Sequence, residues 1–74
     1  MMVTVKLFAS LRAGRFDGAV FELPDGAVIG TALAAAGVSE REAAVIFLNA
    51  RHSLPPTALA DGDLVAVFPL VGGG

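Results

Sequence analysis

The chain closes on Val71-Gly72-Gly73-Gly74, and this run is where its residue types could do chemistry. A C-terminal glycine carboxylate is an unhindered acyl group. Residues without side chains can thread a channel too narrow for any others. From Leu70 to Gly74 the segment spans roughly 17 Å when extended. Ordering it costs about 1–2 kcal/mol per residue, which docking of the remaining chain would have to offset. The plain alternative is a frayed terminus or a cloning scar. The chain has nine glycines in 74 residues. At that frequency three in succession at a given place arise by chance about 0.002 of the time, so the run calls for a reason.

Other chemistry is sparse. His52 is the single histidine and there is no cysteine. No metal site is therefore expected, and His52 reads as a surface turn residue. Asp61 and Asp63 flank Gly62, a spacing typical of a turn before a strand and a poor source of paired carboxylates in a cleft. The glycines form neither a dinucleotide fingerprint nor a phosphate loop. With no thiol, no disulfide framework is possible. A net charge of −2 with five basic residues gives no nucleic-acid footprint. No segment reaches the ~18 apolar residues of a membrane span and none reads as a signal peptide, so a cytoplasmic location is the default expectation.

The elements that must position the tail follow from hydrophobic period. Val3–Ala9 alternates, with Val5 and Leu7 on one side and Lys6 and Phe8 on the other, as a half-buried strand does. Residues 10–18 read as a loop with turn chemistry at Gly14 and Asp17-Gly18. Ala19–Pro24 is a second strand, with Ala19, Phe21 and Leu23 on one face. The period then changes. Val28, Ala32, Leu33 and Ala36 recur at helical spacing, entered through Asp25-Gly26 and stopped at Gly37. Gly30 is expected to allow close packing of this helix on the sheet. Ser39 and Glu42 stand at capping-box spacing, in one helical turn or a loop. Ala43–Asn49 is a short, nearly continuous apolar run and reads as a buried strand. A tight turn then leads to a short edge strand, and Pro55-Pro56 to a brief helical turn. The last strand is Leu64–Phe68, with Val65 and Val67 opposite to Leu64, Ala66 and Phe68.

This β-β-α-β-β-β order predicts an α+β domain, a mixed sheet of four or five strands packed on one helix. Strand Val3–Ala9 should lie beside and parallel to Leu64–Phe68. Residues 1–71 form the domain and 72–74 a flexible tail. Hydrophobic residues make up 55% of the chain, more than so small an interior can hide, so an exposed apolar patch for a partner is expected. Phe8 and Phe68 share the parity of Lys6 and Ala66. They should sit together on the open face of the sheet, either beneath a covering loop or as a docking patch. Pro69, Leu70 and Val71 would stiffen the exit of the tail.

The stretches "VKLFASLR", "LPDGAVIGTAL", "FLN" and "LADGDLVAVFPLVGGG" resemble the β-grasp sulfur carriers. That ubiquitin-like group includes the small subunit of molybdopterin synthase (MoaD) and the thiamin sulfur carrier (ThiS). The resemblance covers the whole chain and implies a ubiquitin-like β-grasp fold. It also implies a C-terminal carboxylate, here on Gly74, that an E1-like activating enzyme adenylates with ATP and that sulfur then converts to a thiocarboxylate. The family's terminal pair falls on Gly73 and Gly74, with Gly72 part of the same tail. It further implies no bound cofactor, no active site within the chain, and a second partner that accepts the sulfur, such as the synthase large subunit. "LFASLR" and Phe68-Pro69 look like the molybdopterin synthase type, whereas the V-G-G-G ending is frequent in thiamin carriers. Two positions depart from the family pattern. Ala27 stands where Thr or Ser usually caps the helix, and His52 falls where the docking face usually carries an apolar residue. A thiamin-type or other carrier, a ubiquitin-like protein modifier and a plain interaction module remain as alternatives.

Overall fold

The computed structural model describes residues 1–70. The expectations for Val71, for Gly72, Gly73 and Gly74, and for the 71/72 domain boundary lie outside the described residues. The elements run β1 (Met2–Leu7), β2 (Gly18–Glu22), α1 (Ile29–Ala36), β3 (Val45–Leu48), β4 (Arg51–Ser53) and β5 (Leu64–Phe68), with a 3₁₀ turn at Ala9–Arg12. The strands form one five-stranded sheet in the order β2-β1-β5-β3-β4. The two terminal strands are central neighbours and parallel, Val5 opposite Val65 and Leu7 opposite Val67; the other pairings are antiparallel. This is a ubiquitin-like β-grasp: a mixed sheet closed around one α-helix among the described residues.

The alternating residues decide which face is covered. Val3, Val5, Val65 and Val67 are fully buried and face Ile29, Ala32 and Leu33 of α1, which are buried too. The helical stripe begins at Ile29 and not at Val28 as its spacing suggested, because Val28 is the extended N-cap residue (φ −113°, ψ 173°). The expected loss of a cap bond at Ala27 is likewise displaced. Ala27 is buried one residue before the cap, and its carbonyl accepts from Leu59. The first helical N–H groups, left without intrahelical partners, are taken by the loop opposite: Ile29 donates to Thr57 O and Gly30 to Pro55 O, each at 2.9 Å. Gly30 therefore lies under that loop and not on the sheet. A Cβ there would stand 3.2 Å from a Glu40 carboxylate oxygen and 3.6 Å from Pro55 O. Gly37 ends α1 in the left-handed region (φ 74°) and donates to Ala34 and Leu33 carbonyls, the stop read from its sequence. Leu33 is 1% exposed, so Leu33→Ala is expected to cost about 2–5 kcal/mol. An unchanged urea midpoint would show that the helix does not carry the core.

Several elements differ from the sequence reading: β3 is shorter than the run 43–49, spanning Val45–Leu48, and only Ile46 of it is fully buried. β1 stops at Leu7, because Ala9 has φ 52° and turns the chain into the 3₁₀ segment, where Leu11 is buried. β2 runs Gly18–Glu22 and stops before Pro24. Pro55-Pro56 form a turn closed by Thr57 N to Leu54 O, followed by a single bridge from Ala58 to Val28, with no helical turn.

Ser39 and Glu42 do form a reciprocal box, Ser39 N donating to the Glu42 carboxylate (2.9 Å) and Glu42 N to Ser39 Oγ (3.1 Å). Arg15, which the sequence did not single out, clamps this corner. It donates to Leu11 O, to Gly37 O and to Glu42. The Ser39 backbone N–H, then the Ser39 hydroxyl and Arg15, hold the Glu42 carboxyl below its ordinary 4.5. A depressed carboxylate stabilises the fold above its unfolded pKa and loses that effect as pH falls through the folded value. Glu42→Gln should therefore melt below the parent at neutral pH, and the gap should close below pH ~4.5; a gap independent of pH would break this assignment. No helix among the described residues is long and apolar enough to cross a membrane.

Candidate docking face and tail exit

Among the described residues the one α-helix covers one face of the sheet, and the other carries the residues of opposite parity. Across the middle of that open face runs a row contributed by all five strands: Gly18, Lys6, Ala66, Phe47 and His52, each directly opposite the next. At the end from which the chain leaves β5, Phe8 and Phe68 stack with ring centroids 4.3 Å apart and planes inclined by 11°. Phe8 lies one residue past β1 but stays extended, and its N–H reaches Val67 O at 3.2 Å, continuing the parallel ladder long enough to set the ring beside Phe68. Phe47 meets Phe68 edge-on, centroids 5.8 Å apart at 89°, and His52 stands edge-on to Phe47 at 6.0 Å. Offset-stacked and edge-on pairs are the favoured aromatic geometries.

The three rings are half-buried, partly under one another, and His52 is exposed. Val45, directly opposite Phe68, is 37% exposed. Pro69 is half-buried beyond the stack and Leu70 is 79% exposed. Thus Phe8, Phe68, Pro69 and Leu70 come together at one corner. His52 is joined to them only through Phe47, and stands on the edge strand β4 instead of in a turn.

Phe47 was not singled out in the sequence. "AVIFL" is apolar at every position, so its period is hidden and the run reads as a strand buried on both faces. The available signal was indirect: a chain with one helical stretch cannot cover both faces of its sheet, so such a strand must present apolar side chains to the open one.

The polar candidates have structural partners. Asp61 accepts from Met2 N at 2.6 Å, and Asp63 accepts from Asn49 Nδ2 at 2.9 Å and Ala60 N at 2.7 Å. Asn49 and Ala50 both have positive φ (49° and 68°), the type I′ geometry of a two-residue hairpin turn. Asn49 bonds Leu64 through main chain and side chain, so these carboxylates fasten the end of the sheet remote from the aromatic stack. Among the described residues there is no cavity and no cluster of three or more His, Asp or Glu able to hold a metal. What this face offers is contact area: an aromatic centre beside the point where the chain leaves the sheet.

The chain matches the ThiS family over residues 5–74. No curated protein matches it. Among solved structures it is similar to a putative molybdopterin converting factor, subunit 1, from Pyrococcus furiosus, at 33% identity over 96% of this chain and 99% of that one, with a TM-score of 0.76. It is also similar to a chain in the complex of subunits 1 and 2 of molybdopterin-converting factor from Helicobacter pylori (26% identity, 100% of each chain, TM-score 0.66). SAMP1 from Haloferax volcanii shares the fold, with a TM-score of 0.79 over 100% of each chain at 22% identity.

Proposed function

The chain belongs to the ThiS family of β-grasp domains, and from that premise we propose that it is a sulfur carrier working as the small subunit of a molybdopterin synthase. The observation that carries the reading is that the family match runs through Gly72, Gly73 and Gly74. In this reading an E1-like activating enzyme adenylates the Gly74 carboxylate with ATP and releases pyrophosphate. Sulfur then displaces AMP and leaves a thiocarboxylate. The chain supplies the acyl group and the docking face; the catalytic groups and the ATP site belong to the partner.

Two observations favour molybdopterin as the destination over thiamin. The similar chain from P. furiosus is described as a putative molybdopterin converting factor, subunit 1, and the one from H. pylori belongs to a complex of subunits 1 and 2 of that factor. In addition, Phe68-Pro69 looks like that type, and Phe68 stacks on Phe8 where the chain leaves the sheet. A large subunit that accepts the sulfur is then the second partner, seated on the Phe8–Phe68 corner with Pro69, Leu70 and Val71 aiming the tail. The test is intact mass after incubation with activating enzyme, ATP and a sulfur donor. One oxygen exchanged for one sulfur is expected. Isopeptide-linked species on a denaturing gel would instead indicate a protein modifier.

A further inference from the structure

The outer strands of the sheet, β2 and β4, differ in what they offer a further strand. At the ends of β2, Leu23 N–H donates to Met1 O, the Met1 ammonium to Leu23 O, and Leu7 N–H to Asp17 O, each at 2.8 Å. Bonding alternates along an antiparallel ladder. Ala19 and Phe21 therefore also turn their N–H and C=O towards β1, where they stand opposite Val5 and Val3. Gly18, Val20 and Glu22 turn theirs outwards. No described residue outside the strands bonds these groups, and all three residues are exposed, Val20 by 59%. Proteins usually close such an edge with a proline, a lysine or a bulge, and β2 contains none of them. β4 is three residues long. Its hairpin turn makes Leu48 and Arg51 a bonded pair, so His52 alone turns its main chain outwards there.

The outward groups of β2 fit a second copy of themselves. Two β2 strands set antiparallel about Val20 bring Val20 opposite Val20 of the second copy, and Gly18 opposite its Glu22. Each pair joins residues whose main chains face outwards, so every free N–H and C=O on both strands finds a partner. Any other register loses at least one of these pairs. The side chains agree. On the core side the Phe21 ring, packed on Phe16 with centroids 5.6 Å apart, comes beside the small Ala19. On the open side Glu22 of the second copy joins the row of Lys6 and Gly18. The Lys6 stem lies over Gly18, where a Cβ would be 3.5 Å from Lys6 Cγ. Asp17, next to Gly18, pairs with Arg12 at 3.9 Å. Lys6 and Arg12 thus meet Asp17 and the incoming Glu22, so the charges balance and no acid stands directly opposite another. We propose that the chain forms a two-fold dimer through β2, which joins the sheets of two copies into one. Phe68 and Phe47 lie on strands away from this edge, so each copy keeps its aromatic corner and tail exit. A single strand pair buries less than a standard interface, which makes the dimer dependent on concentration. The inference does not rest on the carrier reading.

The test is sedimentation equilibrium of the whole chain from micromolar to millimolar concentration, with a thermal melt of each variant. The parent's average mass should rise from 7.5 kDa towards twice that value. Val20→Pro removes an outward N–H and no bond to β1, a place where an edge strand tolerates proline. It should melt cooperatively and stay at monomer mass. Glu22→Lys sets a second cation in the row of Lys6 and should raise the dimer Kd by about tenfold or more; it carries the test if Val20→Pro does not fold. Phe68→Arg should dimerise as the parent does. Amide exchange gives the register: the Val20 and Glu22 N–H groups should slow as concentration rises, while those of Ala19 and Phe21, already bonded to β1, should not respond. A parent that stays monomeric at millimolar concentration overturns the proposal. Association that survives in Val20→Pro and Glu22→Lys overturns it too, and its loss in Phe68→Arg instead would place the contact at the aromatic corner.

Discussion

Deleting Gly74, or adding one residue after it, is expected to abolish thiocarboxylate formation while the domain melts as before. The described fold ends its last strand at Phe68, six positions before Gly74 in the sequence, and the core is built without the terminal residue. Its proposed contribution is reach and access. The docked body fixes where the tail begins, and each residue adds about 3.3–3.6 Å of extended length. A tail one residue short leaves the carboxylate that far from the ATP phosphorus it must attack. A misplacement of about 1 Å already costs on the order of a hundredfold in rate. A tail one residue long buries the reacting carbon's position under an amide and brings a side chain into a channel fitted to glycine. Intact mass after incubation with activating enzyme, ATP and sulfur donor reads the result directly. A normal yield of the sulfur-for-oxygen exchange from either variant would remove the carrier function from this terminus.

Phe68→Arg should cost binding far more than folding. Phe68 touches the Phe8 ring face-on and the Phe47 ring edge-on, but it projects from the face opposite to Val65 and Val67, which make the core. Losing two aromatic contacts costs about 0.5–1.5 kcal/mol each, and at a half-exposed site the lower end applies. A domain of this size then melts roughly 4–8 °C lower per kcal/mol. In the proposed interface the same ring would be the centre of the patch, the place where binding energy concentrates. Truncation of such a residue costs about 2–4 kcal/mol, or roughly 30- to 1,000-fold in Kd, and an arginine in its place adds a charge next to Lys6. A binding isotherm on the activating enzyme, run beside a thermal melt, separates the two effects. Affinity equal to the parent's would take Phe68 out of the docking face, and collapse of the melting transition would place it in the core.

How far the sequence reached depended on how many faces each segment shows to water. β1 and β5 alternate cleanly, so the parity of Phe8 and Phe68 could be read directly, and their pairing on the open face followed once the two strands were neighbours. β3 gives no alternation, because Val45, opposite Phe68, and Phe47 stand on the open face while Ile46 and Leu48 pack on the core side with residues just as apolar. Its contribution to the site was therefore hidden. The start of α1 was misplaced for a related reason. Its cap comes from the carbonyls of Thr57 and Pro55, more than twenty residues away, and no local residue type announces a partner so distant. Arg15 is similar: its ligands at Gly37 and Glu42 lie across a sequence gap that no periodicity spans.

The sequence by itself determined the element order, the faces of the first and last strands, the glycine stop of the helix, the Ser39–Glu42 box and the glycine run that makes the terminus the reactive candidate. Each of these is set by forces acting within a few residues: steric limits on φ, the two-residue period of a strand, and the reach of one side chain to a nearby N–H. Only the tertiary structure decided that Gly18, Lys6, Ala66, Phe47 and His52 form one row, and that an aromatic stack ends beside the departing chain. It also decided that Asp61 and Asp63 serve as fasteners at the far end. Those facts depend on the order in which the strands lie side by side. That order is fixed by burying α1 together with Val3, Val5, Ile46, Val65 and Val67 in one core, a free energy that belongs to the assembled core and to no single segment of the chain.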